Sequence, residues 1–189
     1  EMLIEELLKF ISAGGLILGV CNGFQLMVKL GLLPALGDNF TKQSTTLTYN
    51  DSGRFEDRWV HLKADLQSPC VFTKGLDAVY YPVRHGEGKF IPDSAATLAA
   101  IKKKSLAVFR YCDADGAPTM DYPDNPNGSL QAIAGICNES GRLFGLMPHP
   151  EAFLHRTNHP RWTRENLPEE GQGLAIFKNA VSFIRSGDF

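Results

Sequence analysis

A short apolar stretch, Leu16-Ile17-Leu18-Gly19-Val20, runs directly into Cys21-Asn22-Gly23, and this junction constrains the fold more than any other part of the sequence. A stretch with no polar side chain fits a strand buried on both faces, as strands of parallel sheets are. Before it, Leu3, Ile4, Leu7, Leu8 and Ile11 recur at helical spacing, with Glu1, Glu5, Glu6 and Lys9 opposite, and Ala13-Gly14-Gly15 stops that helix. After it, Phe24, Met27 and Leu30 predict a second helix that Gly31 ends. Helix, buried strand and helix within about thirty residues make an α/β signature.

The remaining chain suits one domain. Its 189 residues leave no room for two ordinary ones. Thr45 to Tyr49 is β-prone, Asn50-Asp51-Ser52-Gly53 is a turn, and Phe55 to Lys63 is expected to pair back as a hairpin. Cys70 to Thr73 and Ala78 to Val83 read as further strands, Ser94 as the cap of a helix from Ala95 to Lys103. Leu106 to Cys112, Ser129 to Ile136 and Arg142 to Met147 follow as strands, and Leu174, Phe177, Val181 and Ile184 as the core face of a closing helix. The expected fold is a three-layer α/β sandwich with a mostly parallel central sheet, flavodoxin-like, plus a β-rich layer from about Thr45 to Val83.

Composition removes several function classes. With 19 Lys and Arg against 21 Asp and Glu, the net charge of −2 lacks the basic excess that nucleic-acid binding needs. The apolar run from Gly14 to Cys21 is too short for a membrane span. No secretion-signal pattern opens the sequence, so a cytoplasmic location is expected. The cysteines, Cys21, Cys70, Cys112 and Cys137, lack the close spacing of a zinc knuckle. His149, His155 and His159 with Glu151 invite a metal reading. However, Pro160 follows and the segment reads as loop, so no metal site is expected. Cys70, Cys112 and Cys137 are expected as core filler.

Chemistry concentrates at two places. Gly19-Val20-Cys21-Asn22-Gly23 has the pattern of a nucleophile elbow with Cys in place of Ser, in which a side chain at Gly19 or Gly23 is expected to collide. The helix that follows turns its dipole and free N–H groups toward the sulfur, favouring thiolate and offering the Asn22 amide to an oxyanion. Met147-Pro148-His149-Pro150-Glu151 follows a predicted strand, at the sheet edge where reactive groups gather. A thiol needs a base to take its proton and return it to a leaving group; His149 suits this, and Glu151 is placed to orient the ring.

Gly19-x-Cys21-x-Gly23-x-Gln25 with His149-x-Glu151 resembles the class I, triad-type glutamine amidotransferases. Gly53-Arg54-Phe55-Glu56, His85-Gly86-Glu87-Gly88 and the stretch from Tyr122 to Ser129 narrow the resemblance to the glutaminase components of phosphoribosylformylglycinamidine synthases. The resemblance implies that Cys21 attacks the carboxamide of glutamine, that His149 and Glu151 complete a triad, and that Gln25 and the backbone near His85 and Gly86 hold the substrate. It implies no cofactor in this domain. Ammonia would pass to a synthase subunit or domain that uses ATP and Mg.

The chain departs from that family's pattern at Ala152, where Arg is usual, and at Arg84, where a small residue is usual. The family's N-terminal strand and glycine-rich oxyanion loop do not precede Glu1, so residues 1–189 alone are expected to be a poor glutaminase. Arg54, Arg58, Arg161 and Arg164 are candidates to meet an acidic partner surface. Another triad-type amidotransferase, a γ-glutamyl hydrolase, or a scaffold domain that keeps the fold without catalysis are the alternatives.

Overall fold

The computed structural model describes residues 2–187. Helix α1 (Met2–Ser12) leads into strand β1 (Ile17–Val20) and helix α2 (Asn22–Lys29), the order expected. Strands β2 (Thr45–Tyr49), β3 (Glu56–Ala64), β4 (Ala78–His85) and β5 (Glu87–Pro92) come next. Helix α3 (Ala95–Lys103) precedes β6 (Ala107–Cys112), β7 (Ile133–Cys137) and β8 (Leu143–Leu146), and α4 (Leu174–Ser186) closes the described chain. Ser94 caps α3 as expected, its Oγ accepting from the Thr97 N–H at 3.1 Å.

The α/β class stands, but the mostly parallel sheet does not. Six strands join in the order β1-β8-β7-β6-β3-β4, and among the described residues only β1 and β8 run parallel. The other four pairings in this sheet are antiparallel. Connection chemistry explains the difference. A parallel pair needs a crossover, usually helical, whereas β7 returns to β8 through the turn 138–142 and β3 to β4 through a segment without an α-helix.

The expected β-rich layer is also rearranged. β2 pairs with β5 in a separate two-stranded sheet, while β3 and β4 belong to the main sheet. Phe55 to Lys63 therefore does not fold back on Thr45 to Tyr49. Cys70 to Thr73 is not a strand; Cys70 precedes a 3-10 turn, Val71–Thr73.

The core lies between the sheet and the helices that cover it, with Phe24, Tyr81, Phe90, Phe109, Tyr111 and Phe144 fully buried. Ile4, Leu8 and Ile11 of α1 pack against it, but Leu3 points out. In α4 the inward residue is Ile176, with Ala180 beside it, while Val181 and Ile184 are exposed. The expected stripe was rotated by about one residue position, a small error on a 3.6-residue period. Among the described residues no helix is long and apolar enough to cross a membrane.

Candidate active site

β1 delivers its last residue into a sharp turn. Cys21 adopts φ 51° and ψ −106° and stands immediately before α2, as an elbow requires. The left-handed φ of a non-glycine residue is strain held in place by its surroundings. Gly19 shows why bulk is excluded there: an added Cβ would lie 2.5 Å from Met27 Sδ and 2.8 Å from the Gly23 backbone. At Gly23 the expectation fails, because nothing lies within 4 Å of an added Cβ.

The parallel register puts the ends of β1 and β8 at one edge, Val20 opposite Leu146, and Cys21 N–H donates to the Leu146 carbonyl at 2.8 Å. The chain leaving β8 thus carries His149 to the edge that holds Cys21, 128 residues earlier in the sequence. β4, at the opposite end of the strand order, closes over the same edge. His149 N–H donates to the Pro82 carbonyl at 2.8 Å, Cys21 Sγ lies 3.8 Å from the Arg84 carbonyl, and Gln25 Nε2 donates to the Glu87 carbonyl at 2.6 Å. The cleft is therefore where the two end strands of a curled sheet meet.

His149 Nδ1 bonds Glu151 Oε1 at 2.5 Å. Its Nε2 is shut off from solvent and makes no hydrogen bond of full geometry among the described residues. Interaction with the Cys21 sulfur first, and the bond to Glu151 second, outweigh burial and raise the ring to about 9. Burial pushes the Glu151 carboxyl up, but its bond with His149 and its backbone contact hold it below its ordinary value.

His85 lies behind this pair and is only 3% exposed. Burial first, and the nearby charge of His149 second, lower it to about 4, so the ring is neutral near pH 7. Asn50, which the sequence marks only as a turn residue, is its clamp. Asn50 Oδ1 lies 3.1 Å from His85 Nδ1 and accepts from the Gly88 N–H at 3.0 Å, while Nδ2 donates to the His85 carbonyl at 2.8 Å. The Gly86 carbonyl accepts from the Asn50 N–H at 3.0 Å. The Asn125-to-Ser129 loop backs the same turn through Ser129 Oγ, which accepts from the Phe90 N–H at 2.9 Å. Asn22 opens α2 with its side chain exposed.

His155 and His159 join neither this cleft nor a metal cluster. His155 Nδ1 pairs with Thr157, and the His159 ring packs on Trp59, Tyr80 and Phe153. Among the described residues no group of three or more His, Cys, Asp or Glu is placed to hold a metal ion. Of the four arginines singled out, Arg58 is tied to Glu56 and Tyr122, and Arg161 to Glu165.

Comparison with known proteins agrees with the motifs. The sequence pattern of the CobB/CobQ-like glutamine amidotransferase domain matches residues 1–184. The phosphoribosylformylglycinamidine synthase subunit PurQ of Dehalococcoides mccartyi is 51% identical over 181 residues, covering 96% of this chain and 68% of the relative. The subunit of the same name from Archaeoglobus fulgidus is 40% identical over 192 residues, covering 97% of this chain and 68% of the relative. The solved structure of PurLQS from Thermotoga maritima superposes with a TM-score of 0.65 at 29% identity, covering 95% of this chain and 66% of that one. The chain thus spans about two thirds of the length of these relatives. It belongs to the CobB/CobQ-like glutamine amidotransferase family, and within that family it is a homologue of the PurQ subunits of phosphoribosylformylglycinamidine synthase.

Proposed function

We propose that Cys21, His149 and Glu151 hydrolyse the side-chain amide of glutamine through a thioester, as the glutaminase component of a phosphoribosylformylglycinamidine synthase. The thiolate of Cys21 attacks the carboxamide carbon, and the Asn22 N–H at the start of α2 receives the developing oxyanion. His149 gives its proton to the departing nitrogen, and ammonia leaves. The ring, now neutral, takes a proton from water as that water attacks the thioester, releasing glutamate and the free sulfur. Glu151 keeps the ring oriented through Nδ1. Gln25 and the backbone near His85 and Gly86 seat the glutamine.

The ammonia passes to a synthase subunit or domain whose site uses ATP and Mg to convert formylglycinamide ribonucleotide into the amidine, a step of purine biosynthesis. This chain needs no cofactor of its own for its share. A cytoplasmic location, residues 1–189 as one amidotransferase domain, and a three-layer flavodoxin-like arrangement belong to the same reading.

The observation that supports it most is the His149 ring, bonded to Glu151 on one side and governed by the Cys21 sulfur on the other. The test is glutamate release from glutamine with and without the synthase, its nucleotide and ATP, together with labelling by diazo-oxo-norleucine. Turnover stimulated by the synthase, and stoichiometric label at Cys21 that Cys21→Ala abolishes, are the expected results. Preferential hydrolysis of folate polyglutamates points instead to a γ-glutamyl hydrolase, and absence of label to a scaffold.

A further inference from the structure

Three buried side-chain nitrogens make no hydrogen bond among the described residues: Arg58 Nε, His85 Nε2 and His149 Nε2. All three stand at the cleft end of the sheet. Glu56 pairs with His85 across β3 and β4, and Arg58, two residues on from Glu56, shares their face. An unpaired buried polar atom costs stability, so native structures keep few, and a cluster of them marks a place where something else binds. His149 Nε2 is accounted for by the Cys21 sulfur. Arg58 is held through Nη2, which donates to Glu56 Oε2 at 2.5 Å and to the Tyr122 hydroxyl at 2.6 Å.

His85 Nε2 differs from both because it is an acceptor. Asn50 Nδ2 donates to the Arg54 carbonyl at 2.9 Å and to the His85 carbonyl at 2.8 Å, which fixes the orientation of that amide. Its Oδ1 therefore faces His85 Nδ1 at 3.1 Å as an acceptor, and Nδ1 must carry the ring's proton. Nε2 is left with a lone pair, on a side chain that is 97% buried, and with no donor to fill it.

The backbone places this lone pair at the cleft. The Cys21 sulfur lies 3.8 Å from the Arg84 carbonyl oxygen, and the His85 backbone nitrogen is bonded to that same carbonyl carbon, about 2.3 Å from the oxygen. The ring then folds over Gly88, where an added Cβ would lie 2.3 Å from His85 Cε1 and 2.7 Å from Nε2. Gly88 follows Glu87, whose carbonyl accepts from Gln25 Nε2 at 2.6 Å. The ring thus sits between the backbone beside the sulfur and the backbone that Gln25 grips.

We propose that His85 Nε2 receives an N–H of the ammonia released at Cys21 and holds the molecule as neutral NH3 on the buried side of the cleft. This rests on the glutaminase reading above and adds to it a residue for the released nitrogen. Neutrality matters because only NH3 keeps the lone pair that attacks a carbon. The His85 ring, lowered to about 4 by burial first and His149 second, has no proton to give near pH 7. Glu56, the carboxylate opposite, is engaged: Oε1 accepts from Ser52 Oγ at 2.7 Å and Oε2 from Arg58. It is therefore not free to favour ammonium, and burial itself disfavours the charged form.

The test combines the full chain with its synthase, glutamine, ATP and formylglycinamide ribonucleotide, and measures glutamate, amidine and free ammonia in one mixture. His85→Leu should raise the free ammonia lost per amidine formed by about fivefold, the factor one ordinary hydrogen bond is worth. His85→Gln, whose amide oxygen also accepts, should bring that ratio back toward wild type. Because a ratio is read, a change in overall rate does not imitate the effect. Coupled wild type with an unchanged ratio in His85→Leu overturns this inference alone, whereas wild type that forms no glutamate overturns the glutaminase reading and this inference with it. Should His85→Leu not fold, ¹⁵N NMR of the wild-type ring decides. A proton on Nδ1 and a bare Nε2 are expected; a proton on Nε2 overturns the proposal, because that nitrogen then donates.

Discussion

Removing the sulfur of Cys21 should lower the pKa of the His149 ring, and the size of that change measures whether the two side chains share a cleft. The ring sits at about 9 against an ordinary 6.5, with the sulfur as the largest cause, Glu151 second and burial opposing both. At ~1.4 kcal/mol per pH unit, that elevation is worth on the order of 3 kcal/mol in favour of the imidazolium. Cys21→Ala removes the leading cause and leaves Glu151 on Nδ1, so the ring should titrate roughly one pH unit lower or more. Glu151→Gln removes the second cause and should produce a smaller fall. Ring resonances followed by NMR through a pH titration read all three proteins directly. The stability effect has a fixed sign. A folded pKa raised above the unfolded value stabilises fully below pH 6.5, and that contribution is lost as the pH rises through about 9. Cys21→Ala should flatten this alkaline loss. If wild type and Cys21→Ala titrate together at His149, the sulfur and the ring are not neighbours and the thioester route loses its proton carrier.

Four further outcomes follow from the contacts around the cleft. Gly19→Ala should destabilise by about 1–3 kcal/mol in urea unfolding because Met27 and the Gly23 backbone must give way. Gly23→Ala, in open space within the first turn of α2, should be neutral or stabilising by up to about 1 kcal/mol; equal losses at both positions refute the elbow geometry. Asn50→Ala strands His85 Nδ1 and the Gly88 N–H and should cost on the order of 2–4 kcal/mol in the same measurement, whereas a cost below about 0.5 kcal/mol would show that the clamp is dispensable. His85 has a folded pKa of about 4, beneath its ordinary 6.5, so its contribution is present above pH 6.5 and lost as the pH falls toward 4. That loss is on the order of 3 kcal/mol, and His85→Asn should show a shallower acid slope than wild type.

The parts that sequence reading reached, and those it missed, divide along a physical line. Cys21 and His149 each follow an apolar strand in a segment bounded by Gly or Pro, so composition, punctuation and chemistry point to the same positions. The helix–strand–helix opening was legible because local apolar spacing dictates it. Strand direction was not. β1 reads as a parallel strand from its unbroken apolar run, although only Gly19 in it is fully buried, yet β7 and β8, whose every residue is buried, pair antiparallel with each other. Burial on both faces reports what covers a sheet, while direction depends on which distant segment lies alongside. The same limit misled the hairpin. Asn50-Asp51-Ser52-Gly53 does turn, with the Asn50 amide donating to the Arg54 carbonyl at 2.9 Å, but the same amide also holds the 85–88 turn, and β2 pairs with β5 while β3 pairs with β4. The wall of the cleft opposite Cys21 was reached only through the family resemblance, as the backbone near His85 and Gly86, because Pro82, Arg84 and Glu87 contribute it through main-chain carbonyls. Every residue type carries that group, so residue chemistry alone does not announce it. It follows that substitutions at Arg84 that preserve the strand should leave the carbonyl beside the sulfur in place. The unusual residue at that position is compatible with the cleft because the cleft uses its backbone.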